Sequence, residues 1–270
     1  MFGFFRRFLN YTRSARVGAA RFRIPVTSGM EARAVHESAK THLIRRFARG
    51  EGVFLDVGVN LGQTMLDLRA SFPHMSYVGF EPNPTAVAYV YKLIEVNGFD
   101  NCKVLCAALG ERAGTIDLYR TPGDIVDTGA TLIKNLRPTR NQTAAQPVAL
   151  FAFDAIGAEL QARPVSFVKV DVEGSELEAL KGMTNTLVAD RPVVLCEVLP
   201  RCGGTSEAAS AARRAELRAL LSGLDYQIFH VELNGSLEPS AEFKAGPFRK
   251  DESWDYVFLP SERLADAAGN

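Results

Sequence analysis

The chain has 270 residues, with 31 basic and 31 acidic side chains and a hydrophobic content of 47%. That length and apolar content are sufficient for one full hydrophobic core, and a single α/β domain can use the whole chain. The balanced charge excludes the strong overall attraction to polyanions that is typical of nucleic-acid-binding proteins.

Residues 1–49 are predicted to form a basic arm followed by a helix. No acid precedes Glu31, whereas arginines accumulate beside apolar residues: Phe2, Phe4, Phe5, Arg6, Arg7, Phe8, Leu9, Arg13, Arg16, Arg21 and Arg23. Such a segment could lie on an anionic membrane as an interfacial helix, or pack on its own domain or on a partner subunit. Its apolar run is too short to span a bilayer, and it lacks a secretory cleavage site. The helical stretch from His36 and Glu37 to Arg49 could close over a pocket of the next domain.

A buried apolar run from Val53 ends in an acid and a small-residue turn, marked by Asp56, Gly58, Asn60 and Gly62. Glycine reaches positive φ cheaply and leaves the backbone bare, which predicts a ligand lying against the main chain. A dinucleotide would require G-x-G-x-x-G, whereas this turn reads G-x-N-x-G. An acid such as Asp56 suits the cationic amino group and sulfonium of S-adenosylmethionine (SAM) better than a pyrophosphate. The alternative is an ordinary strand-to-helix turn.

A second predicted strand, Ser76 to Phe80, ends at Glu81 and is followed by Pro82-Asn83-Pro84 and a helix over 85–96. An acid at the end of a second strand is the usual ligand of a ribose diol in nucleotide-binding sheets. Glu81 is therefore the predicted ribose ligand. The alternative is that Glu81 caps the helix that Pro84 opens.

A third predicted strand, Val165 to Val172, contains Asp171 and is followed directly by Glu173. The next segment begins a helix for which Ser175 and Glu178 predict a capping box. A buried carboxylate is costly unless it is paired, so two acids at the carboxyl end of an apolar strand indicate a ligand site. Because Lys169 shares their face of the strand, a purely structural ion pair is the alternative.

The remaining pattern predicts strands that alternate with helices of ten or more residues, which favours a largely parallel sheet covered on both faces. Residues 121–147 read as a long loop that could form a substrate lid, with Asp124, Asp127, Thr128 and Thr131 as candidate contacts. The other predicted elements are strands over 102–108, 115–119, 148–153, 192–198, 226–231 and 255–259, and a helix over 207–221.

Together, the segments LDVGVNLGQ, VGFEPNP and VKVDVEGSELEALKG resemble the FkbM-type family of SAM-dependent methyltransferases, from about Gly50 to Leu199. The resemblance implies a Rossmann-like class I methyltransferase fold with a mostly parallel seven-stranded sheet. It implies methyl transfer to a hydroxyl of a sugar, glycan, polyketide or other small metabolite. The cofactor-binding residues that it implies are Asp56, Gly58, Asn60, Gly62, Glu81, Pro82, Asn83, Ala107, Ala108 and Asp171.

Methylation of a hydroxyl requires alignment of nucleophile, methyl and sulfur, and a base that takes the proton. The candidate bases are Asp171 and Glu173, with Glu197 and His230 behind them, because all four end strands at the expected rim of the pocket. Two rival functions are an NAD-dependent oxidoreductase, whose ribose Glu81 could also hold, and a SAM-binding or membrane-associated assembly subunit without activity.

The predicted organisation is a basic arm and helix over 1–49, a SAM-dependent methyltransferase domain over 50–260 and a tail over 261–270. The spacings of the cysteines and histidines match no metal template, so no metal is expected. Free thiols favour a cytoplasmic protein, with peripheral membrane contact open through the arm. The expected partner is a small-molecule or saccharide acceptor and not a nucleic acid, and a homo-oligomer is compatible with the sequence.

Overall fold

The computed structural model describes residues 11–27, 30–32, 40–124, 126–136, 140–200, 206–249 and 251–267. The first ten residues of the predicted basic arm, together with His36 and Glu37, lie outside these ranges. Within them, no helix has the length and apolar character that crossing a membrane would require.

Thirteen strands and seven α-helices are described. The strands are β1 (Thr12–Val17), β2 (Ala20–Pro25), β3 (Val53–Val57), β4 (Ser76–Phe80), β5 (Cys102–Leu105), β6 (Ala108–Leu109), β7 (Gly114–Arg120), β8 (Ala144–Phe151), β9 (Val165–Val170), β10 (Val193–Glu197), β11 (Tyr226–Val231), β12 (Leu237–Pro239) and β13 (Asp255–Pro260). The helices are α1 (Lys40–Phe47), α2 (Gln63–Ser71), α3 (Pro84–Asn97), α4 (Phe153–Ile156), α5 (Glu176–Lys181), α6 (Thr184–Asp190) and α7 (Glu207–Gly223), and 3-10 turns cover Met30–Ala32 and Ser261–Ala267.

The main sheet has eight strands in the order β12-β11-β13-β10-β9-β3-β4-β5. The strands from β10 to β5 pair in parallel, whereas β13 runs antiparallel between β10 and β11. This topology confirms the expected Rossmann-like α/β fold with a mostly parallel sheet. The sheet has one strand more than the seven expected, because the short β12 pairs with the edge of β11.

Two apolar cores cover the two faces of this sheet. One face packs against the helices that follow β9 and β10, through side chains such as Leu177, Leu187 and Leu217. The other face packs against α1, α2 and α3, through side chains such as Phe47 and Met65. Burial on both faces explains why the parallel strands are nearly continuous apolar runs in the sequence.

The N-terminal arm contains a β-hairpin that the sequence analysis did not predict. Strands β1 and β2 pair antiparallel, and their apolar side, including Phe22 and Ile24, packs against Tyr89 and Leu93 of α3. The interpretation as an interfacial helix is therefore wrong for residues 12–25. The alternation of buried and exposed side chains along β2 has the period of a strand.

The capping box predicted at the start of α5 does not form. Ser175 precedes the helix, but its side chain makes no capping hydrogen bond. The carboxylate of Glu178 instead accepts two hydrogen bonds of 2.6 Å from the guanidinium of Arg213 on α7. A bidentate charged pair is stronger than a neutral cap, so Glu178 holds α5 to α7.

A buried ion pair ties together three adjacent strands of the sheet. Lys169 Nζ on β9 lies 3.1 Å from Oδ1 of Asp56 on β3, and Asp56 is fully buried. The hydroxyl of Tyr77 on β4 donates to Asp56 Oδ2 at 2.6 Å, and Lys169 Nζ also donates to the carbonyl of Gly58 at 2.6 Å. Burial raises the pKa of Asp56, an effect that Lys169 and Tyr77 oppose. The pair therefore fixes the geometry of the strand ends.

Removing one member of this pair is expected to cost far more stability than removing both. Asp56→Ala leaves the buried ammonium of Lys169 without its carboxylate partner. The expected loss is about 3–5 kcal/mol of unfolding free energy. The double variant Asp56→Ala/Lys169→Met leaves no unpaired buried charge, so we expect a markedly smaller loss of unfolding free energy. Urea unfolding of both variants measures the difference.

The matched control is Glu95→Ala, which breaks the surface pair between Lys92 and Glu95. Its expected loss is about 0–1 kcal/mol, because an exposed pair is well solvated when broken. If the double variant were as unstable as Asp56→Ala, the buried charge would not be the cause of the loss.

Candidate functional site

The carboxyl ends of four adjacent strands open into one cavity of about 790 Å³. Its lining includes Gly58 and Asn60 after β3, Glu81 after β4, Asp171 after β9 and Glu197 at the end of β10. Ligands of open α/β sheets bind at this edge. The structure therefore brings the sequence-predicted residues of four separate segments to a single pocket.

Gly58 lets the chain turn at the floor of this cavity. Its φ of 90° lies in the left-handed region, and its N–H donates to the carbonyl of Phe80 at 2.9 Å. A Cβ at this position would lie 2.0 Å from the carbonyl oxygen of Asp171. Only glycine permits the ends of β3 and β9 to approach so closely, which leaves a bare stretch of backbone facing the cavity.

The carboxylate of Glu81 is held in a fixed orientation. It accepts hydrogen bonds of 2.8 Å from the backbone N–H groups of Asn60 and Asn83. Burial raises the pKa of Glu81, and these two N–H groups oppose the shift. The N-cap of α3 is Asn83, whose side chain accepts from Thr85 N–H, and Glu81 binds the N–H of Asn83 itself, so Glu81 also takes part in the cap, as the alternative proposed. A carboxylate has about four acceptor positions, which leaves capacity for a ligand.

Beyond Glu81 the cavity wall is predominantly apolar. Its lining there includes Phe80, Pro82, Ala107 and Ala108, and Asn83 adjoins them. The predicted residues Pro82, Asn83, Ala107 and Ala108 thus all reach the pocket. Small side chains at 107 and 108 leave room for a flat ring beside the main chain.

The opposite end of the cavity is acidic. Oxygens of Asp171, Glu173 and Glu197 lie within 4.8 Å of one another, and such a group could hold a cation. Positive charge reaches this end from Lys40, whose Nζ lies 3.3 Å from Asp171 Oδ2 and 3.0 Å from Asp255 Oδ1. Sequence reasoning missed Lys40, because it begins α1 and only tertiary packing brings it to the strand ends. The absence of a metal remains a prediction.

Asp171 and Glu197 differ in their affinity for a proton. Burial acts to raise the pKa of Asp171, but the positive charges of Lys40 and Lys169 outweigh it and hold that pKa well below its usual range. Burial, and then the negative charge of Asp171, raise the pKa of Glu197 well above its usual range. Of the two carboxyl groups, Glu197 therefore holds a proton more tightly than Asp171 does.

Three of the predicted site residues do not line the cavity. Asp56 lies beneath it in the pair with Lys169, which is the structural alternative that the sequence analysis left open for Lys169, with Asp56 rather than Asp171 as the nearer acid. Gly62 precedes α2 at φ 84°, and a Cβ there would lie 2.8 Å from Leu93 Cδ2, so its role is close packing of α2 on α3.

His230 is the third residue outside the cavity, because β13 separates its strand β11 from β10. Its ring nitrogens are both engaged: Nδ1 lies 2.7 Å from Glu232 Oε1, and Nε2 lies 2.9 Å from the carbonyl oxygen of Ser253. Its ring also packs edge-on against Tyr256. These contacts give His230 a structural position in place of the predicted catalytic one.

The loop over 121–147 forms one wall of the cavity in its described parts. Asp124, Asp127 and Thr128 line it, whereas Thr131 does not. The carboxylate of Asp127 accepts hydrogen bonds from the loop itself, at Thr121 and Gly129. Two bonds fasten the loop to the strand ends: Asn60 Nδ2 donates to the carbonyl of Thr128 at 3.3 Å, and Thr131 Oγ1 donates to the carbonyl of Glu173 at 2.8 Å.

A second cavity of about 280 Å³ adjoins the acidic end. Lys40 and Glu197 line both cavities, so they stand at the boundary. On the far side lies an aromatic pair, Phe248 stacked on Trp254 with ring centroids 5.9 Å apart. The other lining residues are Leu43, Val231, Glu232, Leu233, Glu252, Ser253 and Asp255.

Several known proteins are similar to this chain. A curated relative, Methyltransferase 1 of Beauveria bassiana, is 22% identical over 166 residues, which are 54% of this chain and 66% of the relative. The solved structure of methyltransferase FkbM from Methylobacillus flagellatus KT has a TM-score of 0.47 and 16% identity, over 78% of this chain and 44% of that one. The O-methyltransferase from Bacillus cereus has a TM-score of 0.44 and 10% identity, over 86% and 80% of the two chains.

The chain thus spans less than two thirds of the curated relative and less than half of the solved FkbM structure. A family model, the methyltransferase FkbM domain, matches residues 56–228, which include the glycine turn, Glu81, Asp171 and Glu197. That range is more than half of the chain and contains the strand ends that build the cavity. The chain belongs to the FkbM methyltransferase family, whose cofactor is S-adenosylmethionine.

Proposed function

We propose that this protein transfers the methyl group of SAM to a hydroxyl oxygen of a small, polyhydroxylated acceptor. The observation that carries the proposal is the position of Glu197. This carboxyl has a raised pKa and stands where the cofactor cavity meets a second cavity. A base is most effective when its pKa lies near the working pH, and it must reach the proton that it removes.

The residues of the large cavity fit SAM along its whole length. Its volume of about 790 Å³ is in the range of cofactor sites, about 300–1,000 Å³. Ala107 and Ala108 would pack against the adenine, and Glu81 would accept hydrogen bonds from the ribose hydroxyls. The bare backbone at Gly58 would lie under the methionine part. The acids at 171 and 173 would face its cationic groups.

When bound, SAM supplies a methyl group on a positively charged sulfur. The chain aligns the acceptor oxygen with that methyl, and Lys40 of α1 and residues of the 121–136 segment line the cavity around them. Glu197 takes the proton of the acceptor hydroxyl in its ionised form. Asp171 stays ionised beside Lys40, so it orients Glu197 and does not compete for the proton.

The second cavity supports a neutral acceptor that carries several hydroxyl groups. The stacked face of Phe248 and Trp254 offers an apolar platform, and Phe248 is 51% exposed. Around it, Glu232, Glu252 and Asp255 offer carboxylate acceptors for hydroxyl donors. A saccharide ring combines an apolar face with a rim of hydroxyl groups, whereas a phosphate or carboxylate on the acceptor would be repelled.

The NAD-dependent alternative is disfavoured by the loop before α2. A pyrophosphate needs free backbone N–H groups there, but the N–H of Asn60 is already bound by the Glu81 carboxylate, whose charge would oppose it. A non-catalytic SAM-binding subunit would keep the cavity and bind the cofactor. It would give no methyl transfer to any acceptor.

Gly58→Ala is expected to abolish cofactor binding. The added Cβ would meet the Asp171 carbonyl at 2.0 Å and force β3 and β9 apart at the floor of the cavity. Titration calorimetry with S-adenosylhomocysteine should show affinity at least about 100-fold weaker than that of the parent protein. The control is Gly114→Ala, whose Cβ would meet no atom within 4 Å and which should bind normally. Unchanged affinity in Gly58→Ala would place the cofactor elsewhere.

Glu197→Gln is expected to lower kcat about 100-fold or more, since a general base contributes about 10²–10⁴, while S-adenosylhomocysteine binding persists. The measurement is transfer of radiolabelled methyl from SAM to neutral and anionic sugars. In the parent protein, activity should rise with pH through the raised pKa of Glu197, because only the ionised form accepts a proton.

Variants at Lys40 test whether the pKa of Glu197 sets this pH dependence. Its charge lowers the pKa of Glu197, so Lys40→Met should move the rise in activity to higher pH, while Lys40→Arg keeps the charge and leaves it near its original place. Glu173→Gln tests Glu173, the other candidate base at this end of the cavity, in the same assay. If Glu173→Gln removed the turnover and Glu197→Gln did not, Glu173 would be the base and Glu197 would not.

A further inference from the structure

The hairpin of β1 and β2 has one face whose exposed side chains are polar or basic. Residues directly opposite each other share a face, and the register pairs Arg16 with Arg21 and Ser14 with Arg23. All four side chains are exposed. The other face carries the buried Val17, Phe22 and Ile24 and packs on the domain. The hairpin is thus fixed to the domain with its arginine face, defined as Arg16, Arg21 and Arg23, turned outward.

This arrangement places like charges next to each other without compensation from the domain. Arg16 and Arg21 are direct cross-strand partners, a placement that destabilises a strand pair. Among the ion pairs of the described ranges, none involves a residue of the arginine face. Within the part of the chain that the structure describes, the guanidinium of Arg21 donates only to the hydroxyl of Ser14, at 3.3 Å.

Further positive charge lies at the hairpin turn. A Cβ added to Gly18 would lie 3.7 Å from Nη2 of Arg45 on α1, and Arg45 is itself exposed. By contrast, Arg13 lies on the other face of the hairpin, and its guanidinium donates to the backbone carbonyl of Glu31, so it has a partner within the domain. The surplus charge is therefore confined to the outward face and its turn.

The chain beside this face favours a bilayer as the anionic partner. Tyr11, at the entry to β1, is 67% exposed. The ten residues before it, Met-Phe-Gly-Phe-Phe-Arg-Arg-Phe-Leu-Asn, combine aromatic side chains with two further arginines and contain no acid. Aromatic residues next to arginines suit the boundary between lipid headgroups and acyl chains, whereas a soluble anion offers nothing for the aromatic side chains.

We propose that the arginine face of the hairpin docks this protein on membranes that carry anionic lipids. Lipid phosphates and carboxylates supply the negative charge that the arginine face lacks, and each arginine near such a surface strengthens binding about fivefold. Three arginines therefore contribute about 100-fold. The attraction is screened within about 8 Å at physiological salt, so it requires the arginines to lie at the surface itself.

The test uses the full chain and vesicles of two compositions, phosphatidylcholine alone and phosphatidylcholine with about 30% phosphatidylserine. Co-sedimentation should show binding to the second composition only, and it should weaken as salt rises. The variant Arg16→Ser/Arg21→Ser/Arg23→Ser should bind the anionic vesicles about 100-fold more weakly. The matched control, Arg112→Ser/Lys134→Ser/Arg218→Ser, removes the same charge from exposed positions on other parts of the surface and should bind like the parent protein.

Thermal unfolding separates docking from a structural role. Because Arg16 and Arg21 repel each other, the hairpin variant should unfold at the same temperature as the parent or higher. A lower temperature would show that the arginines stabilise the fold and would overturn the proposal. Equal vesicle binding by the parent and the hairpin variant would also overturn it, as would binding to a mixed-sequence oligonucleotide without binding to vesicles.

Discussion

The buried pair of Asp56 and Lys169 is the constraint on which the cofactor cavity depends. One ammonium group ties β9 to β3 through Asp56, and it also binds the carbonyl of Gly58 at the first turn of the loop. The aromatic hydroxyl of Tyr77 adds β4 to the same network. A charged pair in the core is seldom a net gain in stability, so its value here is geometric: it sets where three strands end.

The placement of charge then decides the chemistry at the other end of the cavity. The ammonium groups of Lys169 and Lys40 lie 4.0 Å and 3.3 Å from Asp171 Oδ2, and their charges hold the pKa of Asp171 well below its usual range. The neighbouring Glu197 has no comparable share of positive charge and holds its proton more tightly. Two carboxyl groups of similar intrinsic acidity thus acquire pKa values shifted in opposite directions by their surroundings.

Much of this arrangement could be predicted from the sequence, and the reasons are local. The ends of β3, β4 and β9 are each marked by a run of apolar residues, a turn and an acid, so Glu81 and Asp171 could be placed at one edge of the sheet. The sequence predicts Asp56 as a cofactor ligand, but Asp56 lies inside β3, two residues before Gly58. A side chain at that position points beneath the loop and not into the cavity. His230 was misplaced because strand order is not written in the sequence, and β13 intervenes.

Lys40 and the N-terminal hairpin could not be predicted, for two different physical reasons. Lys40 acquires its role only when α1 packs across the sheet, a contact with Asp171 that spans 131 positions of the chain. The hairpin was hidden because its arginines dominate the composition of the segment. Its buried side consists of only a few apolar residues, Val17, Phe22 and Ile24. This short pattern can be recognised as a buried face only once its packing against α3 is known.

The fastening of the 121–136 segment has a consequence for the turnover cycle. Its bonds join Thr128 to Asn60 and Thr131 to Glu173, so the segment crosses the mouth of the cavity from one strand end to another. That side of the cavity opens only when both hydrogen bonds break. In many enzymes the opening of such a segment, and not bond making, limits the rate of turnover.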